Sequence, residues 1–204
     1  VIIPETGCFD TTTNHGAPNR FFGDKLQMIW VGKFDFRKRL DIALKAVAKC
    51  KNTNIQLAIY GKGTEVQIEY YQRMAVDLGI DNKIVWMGAQ PNNVVKKAMA
   101  ESDLFLFTSV SEDPSTVVLE AVSYGLPVVC FDACGMAYVI DESVGMKIRL
   151  TNPKQSVCDI AETINYLNNN RNRLKEMSEN CRQQQMELSW DKKAEDMVRL
   201  YKIE

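Results

Sequence analysis

Six short apolar runs recur along the chain, and each is followed by a stretch whose apolar residues return at helical spacing. The runs are residues 26–32 (LQMIWVG), 55–61, 83–88, 103–109, 126–131 and 145–150. They are apolar throughout rather than at every second position, which marks strands covered on both faces. Helical patterns fall at residues 37–52, 64–79, 93–101, 115–125, 136–141 and 190–203, with one or two more across 154–188. Strands of this kind alternating with helices predict an α/β fold: a Rossmann-like, doubly wound parallel sheet of about six strands with helices on both faces. Ligands in such sheets bind beyond the carboxyl ends of the strands. The loops after Gly32, Gly61, Gly88 and Ser109 are therefore where chemistry is expected.

A chain of 204 residues suits one well-buried core. Its net charge of −1 argues against nucleic acid as the main partner, which needs a basic surplus. No apolar run approaches the roughly 20 residues that span a bilayer, and the first residues do not read as a signal peptide. The chain opens on Val1, and residues 5–24 are polar and turn-rich. They read as a lead-in from a preceding domain. Six cysteines stand at 8, 50, 130, 134, 158 and 181, with no C-x-x-C pair. They read as buried free thiols in a reducing compartment. Cys130 and Cys134 have no second ligand pair and the single histidine, His15, is remote in sequence, so no metal site is expected.

Three segments carry candidate chemistry. In V-G-K-F-D-F-R-K-R (31–39), Gly32 permits a tight turn out of the first strand. Lys33, Arg37, Lys38 and Arg39 then crowd that strand end, a charge suited to a diphosphate. The plainer alternative is a solvated basic helix start, although cations in a first helical turn oppose the macrodipole. In Y-G-K-G-T-E (60–65), Gly61 and Gly63 follow a strand, but a dinucleotide fingerprint wants a third glycine where Val66 stands. These glycines read as permitting close packing or approach to a ligand. In S-E-D-P-S-T-V-V-L-E-A (111–121), Glu112 and Glu120 are separated by seven residues. Ser115 or Thr116 caps the helix between them, whose N-terminus suits phosphate. Glu120 lies among apolar neighbours and needs a partner. Its carboxylate can accept from both hydroxyls of a ribose.

With these residues in view, the chain resembles the C-terminal, donor-binding domain of a GT-B-fold glycosyltransferase of family 4. The resemblance rests on Glu112 and Glu120, on Gly125-Leu126-Pro127-Val128-Val129, on Gly32-Lys33 with Lys38, and on the closing Ser189-Trp190 helix. It implies one half of a GT-B fold, in which residues 25–188 bind a nucleotide sugar and residues 189–204 cross to an absent N-terminal acceptor domain. It further implies transfer with retention to a saccharide or lipid-linked acceptor, without metal or cofactor. Lys38 and Lys33 would hold the diphosphate, Ser115 and Thr116 would offer backbone N–H groups to phosphate, Glu120 would bind the ribose and Glu112 the transferred sugar. Gln90, with Gly88 and Ala89, would lie along the base, and Gly32 and Gly61 would admit the donor. The implied location is the cytoplasm, including the inner membrane face. The chain departs from the family at Lys33, where arginine is usual, at Pro114-Ser115 in place of Phe-Gly, and at Cys134-Gly135 and Tyr138. A non-catalytic sugar-nucleotide-binding module and a sugar-nucleotide epimerase are the competing readings.

Overall fold

The computed structural model describes residue 8, residues 20–113 and residues 115–201. Most of the expected lead-in, with His15, and Pro114 lie outside the described residues. Six parallel strands form one sheet: β1 (Leu26–Lys33), β2 (Ile55–Lys62), β3 (Ile84–Gly88), β4 (Leu104–Phe107), β5 (Val128–Phe131) and β6 (Gly145–Ile148). Their order across the sheet is β3-β2-β1-β4-β5-β6. The intervening helices are α1 (Leu40–Lys49), α2 (Glu65–Asp77), α3 (Asn92–Glu101), α4 (Thr116–Ser123) and α5 (Met136–Val139), followed by α6 (Pro153–Asn169), α7 (Arg171–Glu187) and α8 (Trp190–Tyr201).

Successive strand residues serve opposite faces of the sheet, because side chains alternate along a strand. Met28, Trp30, Leu104, Leu106, Val129 and Phe131 pack into one apolar cluster with α1, α2 and α6. Ile29, Phe105, Phe107, Val128 and Cys130 pack into the other with α3, α4 and α5. The six strands and two covered faces match the doubly wound expectation.

Helix limits follow local polar chemistry. Thr64 and Gln67 form a reciprocal capping box that starts α2. Asn152 caps α6 through a bond from Gln155 N, 3.0 Å, with Pro153 in the first turn. The pattern across 154–188 resolves into two helices, because Asn170 leaves helical geometry at φ −125°, ψ 60°. The helix expected over 37–52 starts only at Leu40. Asp35 Oδ1 accepts from the backbone N–H groups of Arg37 (3.0 Å) and Lys38 (3.1 Å), and Arg39 is left-handed at φ 49°. The cations therefore precede the helix, and its first turn carries Asp41 instead. The expected conflict between cations and the helix dipole does not arise.

Before β1, Arg20–Phe22 form a short 3-10 turn with Phe21 buried. Arg20 reaches Ala100 O (2.6 Å) and also donates to Gly125 O. At the other end, α8 exposes Trp190, Met197, Val198, Leu200 and Tyr201.

Candidate functional site

The sheet order reverses at β1: the chain proceeds from β1 to β2 on one side, while β4 pairs with its other edge. Loops leaving β1 and β4 then part in opposite directions and open a crevice at the carboxyl edge, where ligands of such sheets bind. Two of the three segments singled out in the sequence, 31–39 and 111–121, supply these two loops.

They are stitched together at their bases. Trp30 Nε1 donates to Thr108 Oγ1 at 3.0 Å, and Thr108 Oγ1 donates to Lys38 O at 2.8 Å. Val110 N and Ser109 Oγ both donate to Arg37 O, at 2.9 and 3.2 Å. Partial burial works against the charge of Asp35, but the N–H groups of Lys38 and Arg37 and the Arg37 guanidinium outweigh it. They hold the Asp35 carboxyl below the usual carboxylate range.

On this base Lys38 and Glu112 meet. Lys38 Nζ lies 2.7 Å from Glu112 Oε1, with side-chain exposures of 15% and 19%. The one hydroxyl proton of Ser109 is shared between Arg37 O and the same carboxylate oxygen, which lies 3.1 Å from Ser109 Oγ, and the Lys38 ammonium lies 5.1 Å from the Phe107 ring centroid. Gly32 makes room for this arrangement: a Cβ there would come within 3.3 Å of Lys38 Cγ and 3.0 Å of Trp30. Beside the pair is a polar cavity of about 420 Å³ lined by Arg37, Ser111, Glu112, Asp113, Ser115, Thr116 and Cys134. The N-terminus of α4 opens onto it. Ser115 stands at the N-cap as expected, but its side chain makes no capping bond.

The remaining sequence candidates are more scattered. Lys33 ends β1 exposed to solvent. Arg39 is turned away, gripping Asp41 through two bonds of 2.9 and 3.0 Å, so the four cations do not act as one cluster. Gly61 lies opposite Gly32 in register, and a Cβ on it would fall 1.9 Å from Gly32 O. Close packing alone therefore demands glycine at this position. Gln90 is exposed beyond β3, with its amide turned back to Met87 O at 2.8 Å. Glu120 is half-buried on α4, and its partner is Lys96 of α3, whose Nζ is 3.5 Å from Glu120 Oε1.

Sequence reasoning missed Lys96, Thr108, Ser109 and the indole of Trp30, whose partners lie far away along the chain. Only the buried setting of Glu120 signalled that a cation had to exist somewhere. The cysteine expectation needs correcting. Cys8, Cys50, Cys130 and Cys181 are buried, but Cys134 is exposed in the cavity wall and Cys158 is half-exposed on α6. Helical phase and a left-handed turn at Cys134, φ 52°, bring these two to the surface.

The pattern of the family described as glycosyl transferases group 1 matches residues 12–184. The chain belongs to this family. It is 27% identical over 188 residues to an uncharacterized glycosyltransferase of Methanocaldococcus jannaschii, covering 88% of this chain and 45% of that protein. It is 32% identical over 127 residues to lipopolysaccharide 1,6-galactosyltransferase of Escherichia coli, covering 60% of this chain and 34% of that one. Among solved structures, the pneumococcal O-GlcNAc transferase GtfA, in complex with UDP and GlcNAc, superposes with a TM-score of 0.76 at 20% identity. That match covers 98% of this chain and 39% of GtfA. The fold is thus the Rossmann-like half of the GT-B architecture. The chain spans less than half the length of each of these three relatives.

Proposed function

We propose that this chain is the donor-binding half of a retaining family 4 glycosyltransferase, which transfers a sugar from a nucleoside-diphosphate sugar. The observation that carries the reading is the Lys38–Glu112 pair, 2.7 Å apart at the switch point and beside the open N-terminus of α4. An ammonium has three donors, so Lys38 can keep Glu112 and still reach a phosphate oxygen. Lys38 and Lys33 then neutralise the departing diphosphate, the electrostatic contribution that dominates in sites of this kind. The reading calls for no metal and no cofactor, since lysines supply the positive charge. The α4 N-terminus, with Ser115 and Thr116, meets phosphate. Glu112 contacts the transferred sugar, Glu120 accepts from the ribose, and Gln90 lies along the base. Gly32 and Gly61 let the backbone edge come close.

The acceptor side belongs to an N-terminal domain, with residues 1–24 leading from it and α8 crossing back to it. The apolar side chains exposed on α8 support that role. The galactosyltransferase relative, which acts on lipopolysaccharide by its name, supports a saccharide or lipid-linked acceptor. The proposed location is the cytoplasm, at the inner face of a membrane where the acceptor is lipid-linked. Among the described residues no helix is long and apolar enough to cross a membrane.

The test is donor turnover by the full-length protein across a panel of nucleoside-diphosphate sugars. Glu112→Gln and Lys38→Met are expected to lower it by about 100-fold or more while the melting temperature changes little. The isolated 204 residues are expected to bind nucleotide and transfer little. Equal silence of wild type and Glu112→Gln across the panel would favour the non-catalytic module. Release of an epimerised sugar nucleotide without acceptor would favour the epimerase.

A further inference from the structure

Glu120 and its neighbourhood hold a residue with no role so far. Leu119 and Ala121 on either side of Glu120 are buried, and the Glu120 side chain is only 22% exposed. A carboxylate in such a setting needs a counter-charge. It comes from neither crevice lysine but from Lys96, on the helix that follows the loop 88–91. We infer that Lys96 is a positioning residue: it tethers one oxygen of Glu120 so that the rest of the carboxylate is held out for the ribose hydroxyls of the donor. This inference rests on the donor reading proposed above.

The geometry suits tethering rather than blocking. A carboxylate accepts in about four directions, and the ammonium at 3.5 Å from Oε1 occupies one of them. Two hydroxyls of a ribose need two of the remainder. An untethered glutamate must give up side-chain freedom at each binding event, and a tethered one has already done so. The tether also joins two helices with different duties. α3 and α4 share one apolar cluster through Val95, Met99, Val118 and Val122. The Lys96–Glu120 contact therefore sets the base-side loop and the ribose-side helix as one unit. Lys97, one position on, pairs among the described residues with Glu101 of its own helix, at 3.9 Å and well exposed, and provides the control.

The experiment measures binding of UDP, ADP and GDP, each against its 2′-deoxy form, by calorimetry on this 204-residue chain. The proteins are wild type, Lys96→Met, Lys96→Arg, Glu120→Gln, the Lys96→Met/Glu120→Gln double variant and Lys97→Met. For the nucleotide that binds, wild type is expected to prefer the ribose form by about tenfold, as for a hydrogen bond to a charged group. Lys96→Met is expected to cut that preference several-fold by weakening the ribose form alone. Lys96→Arg restores it, and Lys97→Met leaves it intact. Glu120→Gln abolishes it, with no further loss in the double variant. A Lys96→Met protein that keeps the full preference, or that weakens both forms equally, overturns the inference while leaving the donor reading in place. Failure of wild type to bind any of the six nucleotides overturns the donor reading and this inference with it.

Discussion

A single missing methyl group keeps the first two strands in contact at their carboxyl ends. Gly61 faces Gly32 across the β1–β2 ladder, and a Cβ on Gly61 would sit 1.9 Å from the Gly32 carbonyl oxygen. Backbone cannot yield as a side chain can, so Gly61→Ala is expected to cost about 3 kcal/mol or more, the upper range for overpacking. Urea denaturation checks this, and wild-type stability of the variant would refute the packing account. At Gly32 the crowding atoms are side chains, Trp30 and Lys38, at 3.0 and 3.3 Å. Gly32→Ala should displace the lysine and weaken nucleotide binding more than it weakens the fold. One residue thus serves the sheet, and its neighbour across the ladder serves the site.

Between elements, the decisive link is the buried chain Trp30 Nε1, Thr108 Oγ1, Lys38 O. It joins β1, the end of β4 and the loop that presents Lys38. Thr108→Val keeps the shape but strands the indole N–H and removes a donor from the Lys38 carbonyl. The expected loss is about 1–3 kcal/mol, the cost of a buried polar group left without a partner. A fall in nucleotide affinity should accompany it as Lys38 loses its seat. Denaturation and nucleotide titration on the same variant provide the check. Full stability with full affinity would show that the link plays no part in the site.

For the molecule as a whole, buried thiols set the alkaline limit of stability. Burial pushes Cys50, Cys130 and Cys181 up from 9.0 to about 12. The folded form holds these protons more tightly than the unfolded form. Their contribution is therefore fully present below pH 9 and is lost as pH climbs from 9 towards 12, because only the unfolded chain ionises easily there. Tyr60 and Tyr71, also raised chiefly by burial, act in the same direction. Thermal melts in a reductant should be flat below pH 9 and fall steeply above it. Stability that rises past pH 9 would contradict the buried-thiol account. Labelling at neutral pH should reach Cys134 and Cys158 first, the two thiols that solvent touches.

What the sequence determined by itself was local or periodic. Continuous apolar runs specify strands covered on both faces, helical spacing specifies the layers, and Glu112 and Glu120 bracket one turn and the start of one helix. These depend on neighbours a few residues away, so they are legible without coordinates. The late start of α1 was nearly legible too, since Asp35 two and three residues before its partners is a turn signal. The tertiary structure alone decided which charges meet. It paired Lys38 with Glu112, turned Arg39 onto Asp41 and gave Glu120 a partner in Lys96. It also decided the strand order, and with it the crevice between the β1 and β4 loops. The physical reason is that hydrophobicity is a property each residue carries in its own side chain. A partner for a buried charge exists only once the sheet has brought distant segments within a few ångströms of each other.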